Sequence, residues 1–493
     1  MSDAIALYTQ AMEAKSKGDL QTAFNLLQQC VQISPNEVSY RLHLALVCYE
    51  MSKSSEVLRE MACFNLNELV KIAPGFVSNW IALAEISLNC NKVNESIAAY
   101  EKAVIMEPNN AKTWSTLGFA YTKVGNAKDA KRCFERALSL DPELGIAHFL
   151  MTTVLVDDLV DNHKKAFHGE RGFQCEKPAS YAVESCWNSA LGYLNIGDYE
   201  KGWNYFEARL RRNTSNHGQI LPQDRFTKPL WKRQKDCRVL ISHEMGFGDC
   251  FLMMRYLPII KEQFNVDVQF ECMPNVIELA QYNLPGIQCL LYGQADEASF
   301  DYHLPMMSLP LACGTTRETI PWDGPYIKAL PTKIEEFRQK LNLKIDQLNI
   351  GICWCAGIRN FNATNYADGI RKSLAFDDIK PLLDTGVHFV SLQPESDELP
   401  NPGIKDFSDT AAIIELMDGI ISVDTSVANL AGSMGKKTWV MNRVDSCWRY
   451  SKDIETPWYP TVIDVRQNKT HEWFPVVTKL AFELERFARE VHG

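Results

Sequence analysis

Trp114-Ser115-Thr116-Leu117-Gly118-Phe119-Ala120-Tyr121, followed by Ala130-x-x-x-Phe134 and closed by Pro142, is the stretch that decides the first half of this chain. Its landmarks recur at one spacing: Trp80 precedes Trp114, Tyr100 precedes Phe134, Ala103 precedes Ala137 and Pro108 precedes Pro142, each by 34 residues. A fixed period of that size marks stacked helix pairs, none of which can bury its apolar face alone. Gly118, Ala130 and Ala137 stand where two backbones come close, and Tyr121 and Phe134 fill the space between helices. Pro142 lacks the N–H that would continue the second helix, so it ends the unit.

The period extends outward. An earlier unit aligns through Ala11, Gly18, Ala23 and Pro35, and a stretched one ends at Pro74. A later one carries Trp187, Ala190, Gly197-Asp198-Tyr199, Gly202, Trp203 and Phe206. These units carry the tetratricopeptide pattern, which predicts an α-solenoid. Its concave surface either holds a peptide or protein partner or serves to scaffold or dimerise the next domain. Residues 157–180 break the period, as a degenerate unit or an inserted loop.

Residues 211–235 are polar, broken by Pro222 and Pro229, and read as a connection between domains. Beyond them, short apolar runs alternate with amphipathic stretches, the mark of parallel sheets flanked by helices. Strands are expected at 237–242, 266–271, 288–291 and 302–305, then at 348–354, 387–393, 419–423, 438–441 and 462–465. A division near 331–346 separates two Rossmann-like halves facing a cleft, and 471–491 form a long amphipathic helix.

Three segments are candidates for chemistry. In His243-Glu244-Met245-Gly246-Phe247-Gly248-Asp249, a strand turns into a helix; Gly246 and Gly248 are expected to give the tight turn, and Asp249 to stand at the helix start. Capping and ligand contact are both open for Asp249, and the third glycine of a dinucleotide fingerprint is missing. In Ile420-Ile421-Ser422-Val423-Asp424-Thr425-Ser426-Val427-Ala428-Asn429, an apolar strand runs into a helix whose first turn carries hydroxyls. Such turns lie at the carboxyl edge of a parallel sheet, where free N–H groups and the helix dipole favour a diphosphate. Capping is again the alternative. The third segment, Gly369-Ile370-Arg371-Lys372, follows an Asn-rich loop at 360–365. Two cations at a helix start conflict with the dipole, and a bound phosphate removes that conflict; a solvated pair is the other reading.

The whole chain has 493 residues, 46% hydrophobic and 23% charged, with a net charge of −10. Its length suits several domains, and the acidic balance without a basic run argues against nucleic acid as the partner. The first twenty residues lack the basic start and apolar core of a signal peptide, and no apolar run reaches the roughly 18 residues of a membrane span. The 15 cysteines include no Cys-x-x-Cys pair, so buried thiols, no zinc site and a cytoplasmic location are expected.

From about residue 181 to 490 the chain resembles bacterial tetratricopeptide proteins whose C-terminal half is a heptosyltransferase-like glycosyltransferase of the GT-B fold. The resemblance rests on Gly197-Asp198-Tyr199-Glu200-Lys201-Gly202-Trp203, on Gly246-Phe247-Gly248-Asp249 with Arg255-Tyr256-Leu257-Pro258, and on Met307-Ser308-Leu309-Pro310. It continues through Phe389-Val390-Ser391-Leu392-Gln393, Asp406-Phe407-Ser408-Asp409-Thr410, Ser422-Val423-Asp424-Thr425, Trp448-Arg449-Tyr450 and Pro457-Trp458-Tyr459-Pro460. It implies inverting, metal-independent transfer of a sugar from a nucleotide diphosphate to a protein or glycan acceptor, with no further cofactor. By position, Asp249 matches the general base, and Lys372 with Arg371 the cations facing the leaving diphosphate. Asp424, Thr425 and Ser426 match the donor-binding turn, with Gln393 and Asn429 beside it. Two positions depart from the family: Asn429 stands where it often has His, and Cys447 where it has an acidic residue. A scaffold with an inactive transferase-like domain is therefore the alternative, and a lipopolysaccharide-type core transferase is disfavoured for want of a basic amphipathic helix.

The expected layout is a tetratricopeptide solenoid at 1–212, a linker at 213–236, a Rossmann-like acceptor domain at 237–340, and a Rossmann-like nucleotide-sugar domain with the final helix at 341–493.

Overall fold

The computed structural model describes residues 2–52, 55–156, 160–175, 181–211, 224–357, 369–393, 398–399, 402–450 and 456–492. The chain packs as two compact units, Met1–Val154 with Arg171–Tyr181, and Leu155–Glu170 with Ala182–Gly493.

The first unit is a run of antiparallel helix pairs: α1 (Ser2–Ser16) with α2 (Leu20–Ile33), α3 (Val38–Met51) with α4 (Glu56–Ile72), α5 (Val77–Asn89) with α6 (Val93–Met106), and α7 (Ala111–Lys123) with α8 (Ala127–Leu140), followed by α9 (Gly145–Val154). The 34-residue period becomes repeated geometry. Within pairs, the turn uses a left-handed residue, Gly18 (φ 81°), Asn91 (φ 61°) or Gly125 (φ 73°). At two of these turns the next residue, Asp19 or Asn126, accepts an N–H from the first turn of the second helix, at 3.0 and 3.2 Å. Between pairs, the indole N–H groups of Trp80 and Trp114 donate to the carbonyls of Pro74 and Pro108, each at 2.9 Å. Arg41 and His148 occupy the equivalent place in the flanking units, on Pro35 at 2.5 Å and Pro142 at 2.9 Å. The proline that ends one helix thus anchors the next pair.

The second unit holds two parallel sheets. The first has the order β3-β2-β1-β4, from β1 (Arg238–Ser242), β2 (Asp267–Cys272), β3 (Gln288–Leu291) and β4 (Tyr302–Pro305). The second has the order β6-β5-β7-β8-β9, from β5 (Asn349–Cys353), β6 (His388–Ser391), β7 (Gly419–Val423), β8 (Thr438–Asn442) and β9 (Val462–Arg466). Each strand falls within a few residues of its expected place, because buried parallel strands are written as short apolar runs. The final helix is Phe474–His492. The two sheets meet through the helix after β1, Phe247–Met254, and the helix after β7, Ser426–Ser433, which pack on each other. Gly248 faces Asn429 so closely that a Cβ there would lie 2.8 Å from its amide nitrogen.

Two expectations change, and a segment left open takes a form. The solenoid was expected to run to residue 212, but α11 (Ala182–Ile196) and α12 (Tyr199–Phe206) belong to the second unit. Trp203 of α12 stacks edge-on against Trp448 and Trp458, at centroid distances of 5.2 and 6.1 Å, and the Trp458 indole donates to Tyr199 Oη at 3.1 Å. The motif around Trp203 looks like a repeat locally yet is a wedge in the α/β body. Of the expected linker, 213–223 lie outside the described residues, and 224–236 are no free tether. Trp231 is buried and its backbone N–H donates to the His303 carbonyl at 2.8 Å, while Arg225 forms a bidentate pair with buried Glu271 at 2.5 and 2.7 Å. Residues 162–175 of the period-breaking segment form a helix, α10 (Asn162–Cys175), whose Ala166 and Gly169 lie against the α11 backbone at Gly192 and Ser189. Its flanks at 157–159 and 176–180 lie outside the described residues.

Arg255, from Arg255-Tyr256-Leu257-Pro258, also ties the second unit together. Its buried guanidinium donates to the carbonyls of Leu252, Pro321 and Trp458, each at 3.1 Å, and to Tyr326 Oη at 2.8 Å.

Two glycines test this packing. A Cβ on Gly118 would lie 2.5 Å from the Phe134 ring, and one on Gly248 would press on Asn429. Glycine-to-alanine changes within helices ordinarily stabilise by roughly 0.5–1 kcal/mol. Gly118→Ala and Gly248→Ala should instead each cost about 1–3 kcal/mol through overpacking, read from denaturant unfolding of the whole chain. A gain in stability for either would show that the neighbour gives way without cost.

Candidate functional site

In a doubly wound sheet, ligands bind beyond the carboxyl ends of the strands, where the strand order reverses. In the first sheet that point lies between β1 and β4, and in the second between β5 and β7. The sequence candidates Gly246, Gly248 and Asp249 follow β1, and Asp424, Thr425 and Ser426 follow β7. Both groups therefore stand at reversal points, on the two helices that pack together.

The turn after β1 differs in detail from expectation. The left-handed residue is Met245 (φ 63°), not a glycine, while Gly246 is an extended N-cap at φ −99°. A bulky residue in that region is strained and held there by its surroundings. Glu244 supplies the bracing: it accepts the Met307 N–H at 2.9 Å and the Arg209 guanidinium at 2.8 Å. Arg209 also donates to Ser308 Oγ at 2.7 Å, so Met307-Ser308 acts by holding this turn. The absence of a Cβ at Gly248 serves the close approach to Asn429.

Asp249 is the third residue of its helix. Its Oδ2 accepts the Gly246 N–H at 3.0 Å, and its Oδ1 is ion-paired with Arg449. Capping and an ion pair thus coexist in one carboxylate. Its partner was quoted in the sequence only as part of Trp448-Arg449-Tyr450. The available signal was a lone cation between two large aromatics, a setting that buries a charge. Arg449 is buried, lies 4.6 Å over the Trp448 ring and donates to Cys447 Sγ at 2.7 Å.

At the second turn, Thr425 is the extended N-cap, but its hydroxyl bonds Ser422 Oγ at 2.9 Å and caps no helix N–H. The first turn of the helix therefore lacks a side-chain cap from Thr425, which suits an anion. Asp424 and Ser426 are half-buried beside it. Burial, and after it the Asp424 carboxylate, pushes the Tyr450 hydroxyl well above its ordinary range. Gln393 is brought to the same edge: its Oε1 accepts the Cys355 N–H at 3.2 Å and the Cys353 thiol at 3.4 Å. Burial raises that thiol to about 11, and its sulfur lies 4.0 Å from Thr425 Oγ1.

Asn429 is buried and committed to packing. Its amide donates to the Thr425 carbonyl at 2.9 Å and accepts from Tyr459 Oη at 3.3 Å. Arg371 pairs with Asp445 at 2.7 Å, just beyond β8, and Arg443 lies 3.6 Å from the same carboxylate. Lys372 is the next residue and half-buried. The two cations were expected at a helix start but stand where a helical stretch ends, the next helix beginning at Phe376, so the helix dipole there favours them rather than opposing them. The Asn-rich loop at 360–365 lies outside the described residues. Among the described residues no three His, Cys, Asp or Glu gather as metal ligands would, and no helix is long and apolar enough to cross a membrane. All fifteen cysteines are free thiols.

Residues 77–110 and 111–144 each match a family model described as tetratricopeptide repeat. Protein FlbA of Caulobacter vibrioides is 21% identical over 524 residues, spanning 98% of this chain and 84% of that protein. The human protein O-mannosyl-transferase TMTC3 is 28% identical over 125 residues, which is 25% of this chain and 13% of that protein. Among solved structures, the Pseudomonas aeruginosa pilF protein aligns over 45% of this chain and 96% of its own, at 14% identity and a TM-score of 0.35. A MamA structure aligns over 36% of this chain and 96% of its own, at 16% identity and a TM-score of 0.33. The N-terminal helical array is built of tetratricopeptide repeats, joined in one chain to an α/β region of parallel sheets.

Proposed function

We propose that the second unit is an inverting glycosyltransferase of the GT-B type, taking a nucleoside diphosphate-sugar as donor, and that the repeats recruit its protein or glycan acceptor. The observation that carries this reading is the meeting of two strand-to-helix turns, one from each parallel sheet, at Gly248 and Asn429. A donor diphosphate sits on the Thr425-Ser426 helix start, with Arg371 and Lys372 as neighbouring cations and Asp424 and Gln393 toward the sugar and nucleoside. An acceptor hydroxyl approaches from the β1 side. Its oxygen bonds to the anomeric carbon as the carbon–oxygen bond to the diphosphate breaks. The bonding pair leaves with the phosphate oxygen, and the hydroxyl proton passes to Asp249. Configuration inverts because attack and departure occur on opposite faces.

The rival reading, an interaction scaffold with an inactive transferase-like domain, draws support from two details. Asn429 is spent on packing, and both Asp249 oxygens are engaged. For a scaffold, the repeats and their partner carry the function.

Titration of the full chain with nucleoside diphosphates and their sugar conjugates separates the two. Binding to the folded state raises the unfolding temperature by mass action. One member of the panel should do so, with the rise smaller in Thr425→Ala and lost in Lys372→Ala. A flat response to the whole panel at millimolar concentration contradicts the donor site and leaves the scaffold reading.

A further inference from the structure

Asp249 and Arg449 lie two hundred positions apart and come from different sheets, yet they form an ion pair where the two turns meet. Their side chains are only 14% and 10% exposed. Both carboxylate oxygens are engaged, one by Arg449 and the other by the Gly246 N–H. A carboxylate held against a guanidinium takes a proton less readily than one released from it. The guanidinium is not fully committed. Its Nε is buried and has no hydrogen-bond partner, and beside Asp249 it donates to a weak acceptor, Cys447 Sγ. An unsatisfied buried cationic donor is costly unless an acceptor arrives.

We infer that Arg449 is a donor-operated latch on Asp249: the anionic diphosphate captures the guanidinium and releases the carboxylate to act as base. This rests on the glycosyltransferase reading and adds an order of events to it. Arg449 follows β8, next to the β7 turn in the sheet, so its backbone belongs to the side that binds the donor. Phosphate oxygens suit a guanidinium at least as well as a carboxylate does, through the same paired N–H geometry. The exchange moves one cation from one anion to another and leaves the Asp249 carboxylate without its counter-charge, which makes it a better proton acceptor. Before the donor arrives, the base is occupied. Afterwards, it faces the acceptor. The departure at Cys447 fits this role, since a carboxylate there would hold the guanidinium in place.

The latch makes a prediction opposite to that for an ordinary site residue. Removing Asp249's charge removes the diphosphate's competitor, so Asp249→Asn should bind nucleoside diphosphates more tightly than the parent chain. For coupling of the usual size the gain is roughly fivefold or more. Arg449→Gln should weaken the same binding, and Arg449→Lys should recover part of it. The probes are UDP, GDP and ADP, titrated calorimetrically into the full chain and each variant, with ligand-free unfolding confirming that each variant folds. Asparagine keeps an acceptor for the Gly246 N–H, so the turn survives the change. Diphosphate binding by the parent chain that is unchanged or weaker in Asp249→Asn overturns the latch and leaves the glycosyltransferase reading intact. No binding of any of the three by the parent chain or any variant overturns that reading, and the latch with it.

Discussion

The second unit depends on one close approach. Gly248, near the start of the helix after β1, lies against the amide of Asn429, near the start of the helix after β7. Without a Cβ at that position the two helices come together by their first turns, which brings the reversal points of both sheets to one place. Much else in the unit serves this contact. Tyr459 and the Thr425 carbonyl fix the Asn429 amide, and Glu244, braced by Arg209 and the Met307 N–H, fixes the strained turn before Gly248. Phe407 packs on both Phe247 and Phe251 at 4.9 Å, closing the apolar side.

The constraint accounts for motifs that seemed scattered along the chain. Asp406 caps its own helix by accepting two N–H groups, while buried Asp409 pairs with Lys333 at 2.8 Å. These groups hold the start of the helix that carries Phe407. Trp448 and Trp458 receive Trp203 and Tyr199, so α11 and α12 are part of the α/β body although they carry repeat-like residues. Arg255 spends its hydrogen bonds on carbonyls that no regular structure satisfies. A buried cation used this way holds segments together, because losing it would strand several acceptors at once.

Periodicity told what local physics can tell. The 34-residue spacing foretold the helix pairs, and the proline-anchored bond repeated from Pro35 to Pro142 is that spacing made visible. Apolar runs foretold the nine strands found among the described residues. Local pattern could not say which neighbour a helix would choose, so Trp203 read as part of one more repeat when two of its ring partners, Trp448 and Trp458, lie about 250 residues later. Nor could it assign the left-handed turn to Met245 in the presence of two glycines, since the bracing by Glu244 comes from Arg209 and Met307. The candidate residues Asp249, Thr425 and Gln393 were legible because they follow strands. For Arg449 the aromatic flanks hinted only at a buried charge, and an ion pair across two hundred positions leaves no local trace of its partner.

The central claim is that the two turns form one binding site. Hydrogen–deuterium exchange of the full chain, with and without the nucleoside diphosphate that binds it, addresses this directly. Exchange reports the opening of local backbone hydrogen bonds, segment by segment. The account predicts slowed exchange on binding in residues 424–429 and also in 244–250, two segments from separate sheets. Protection confined to one of these turns, or found only in the helical repeats, would contradict it.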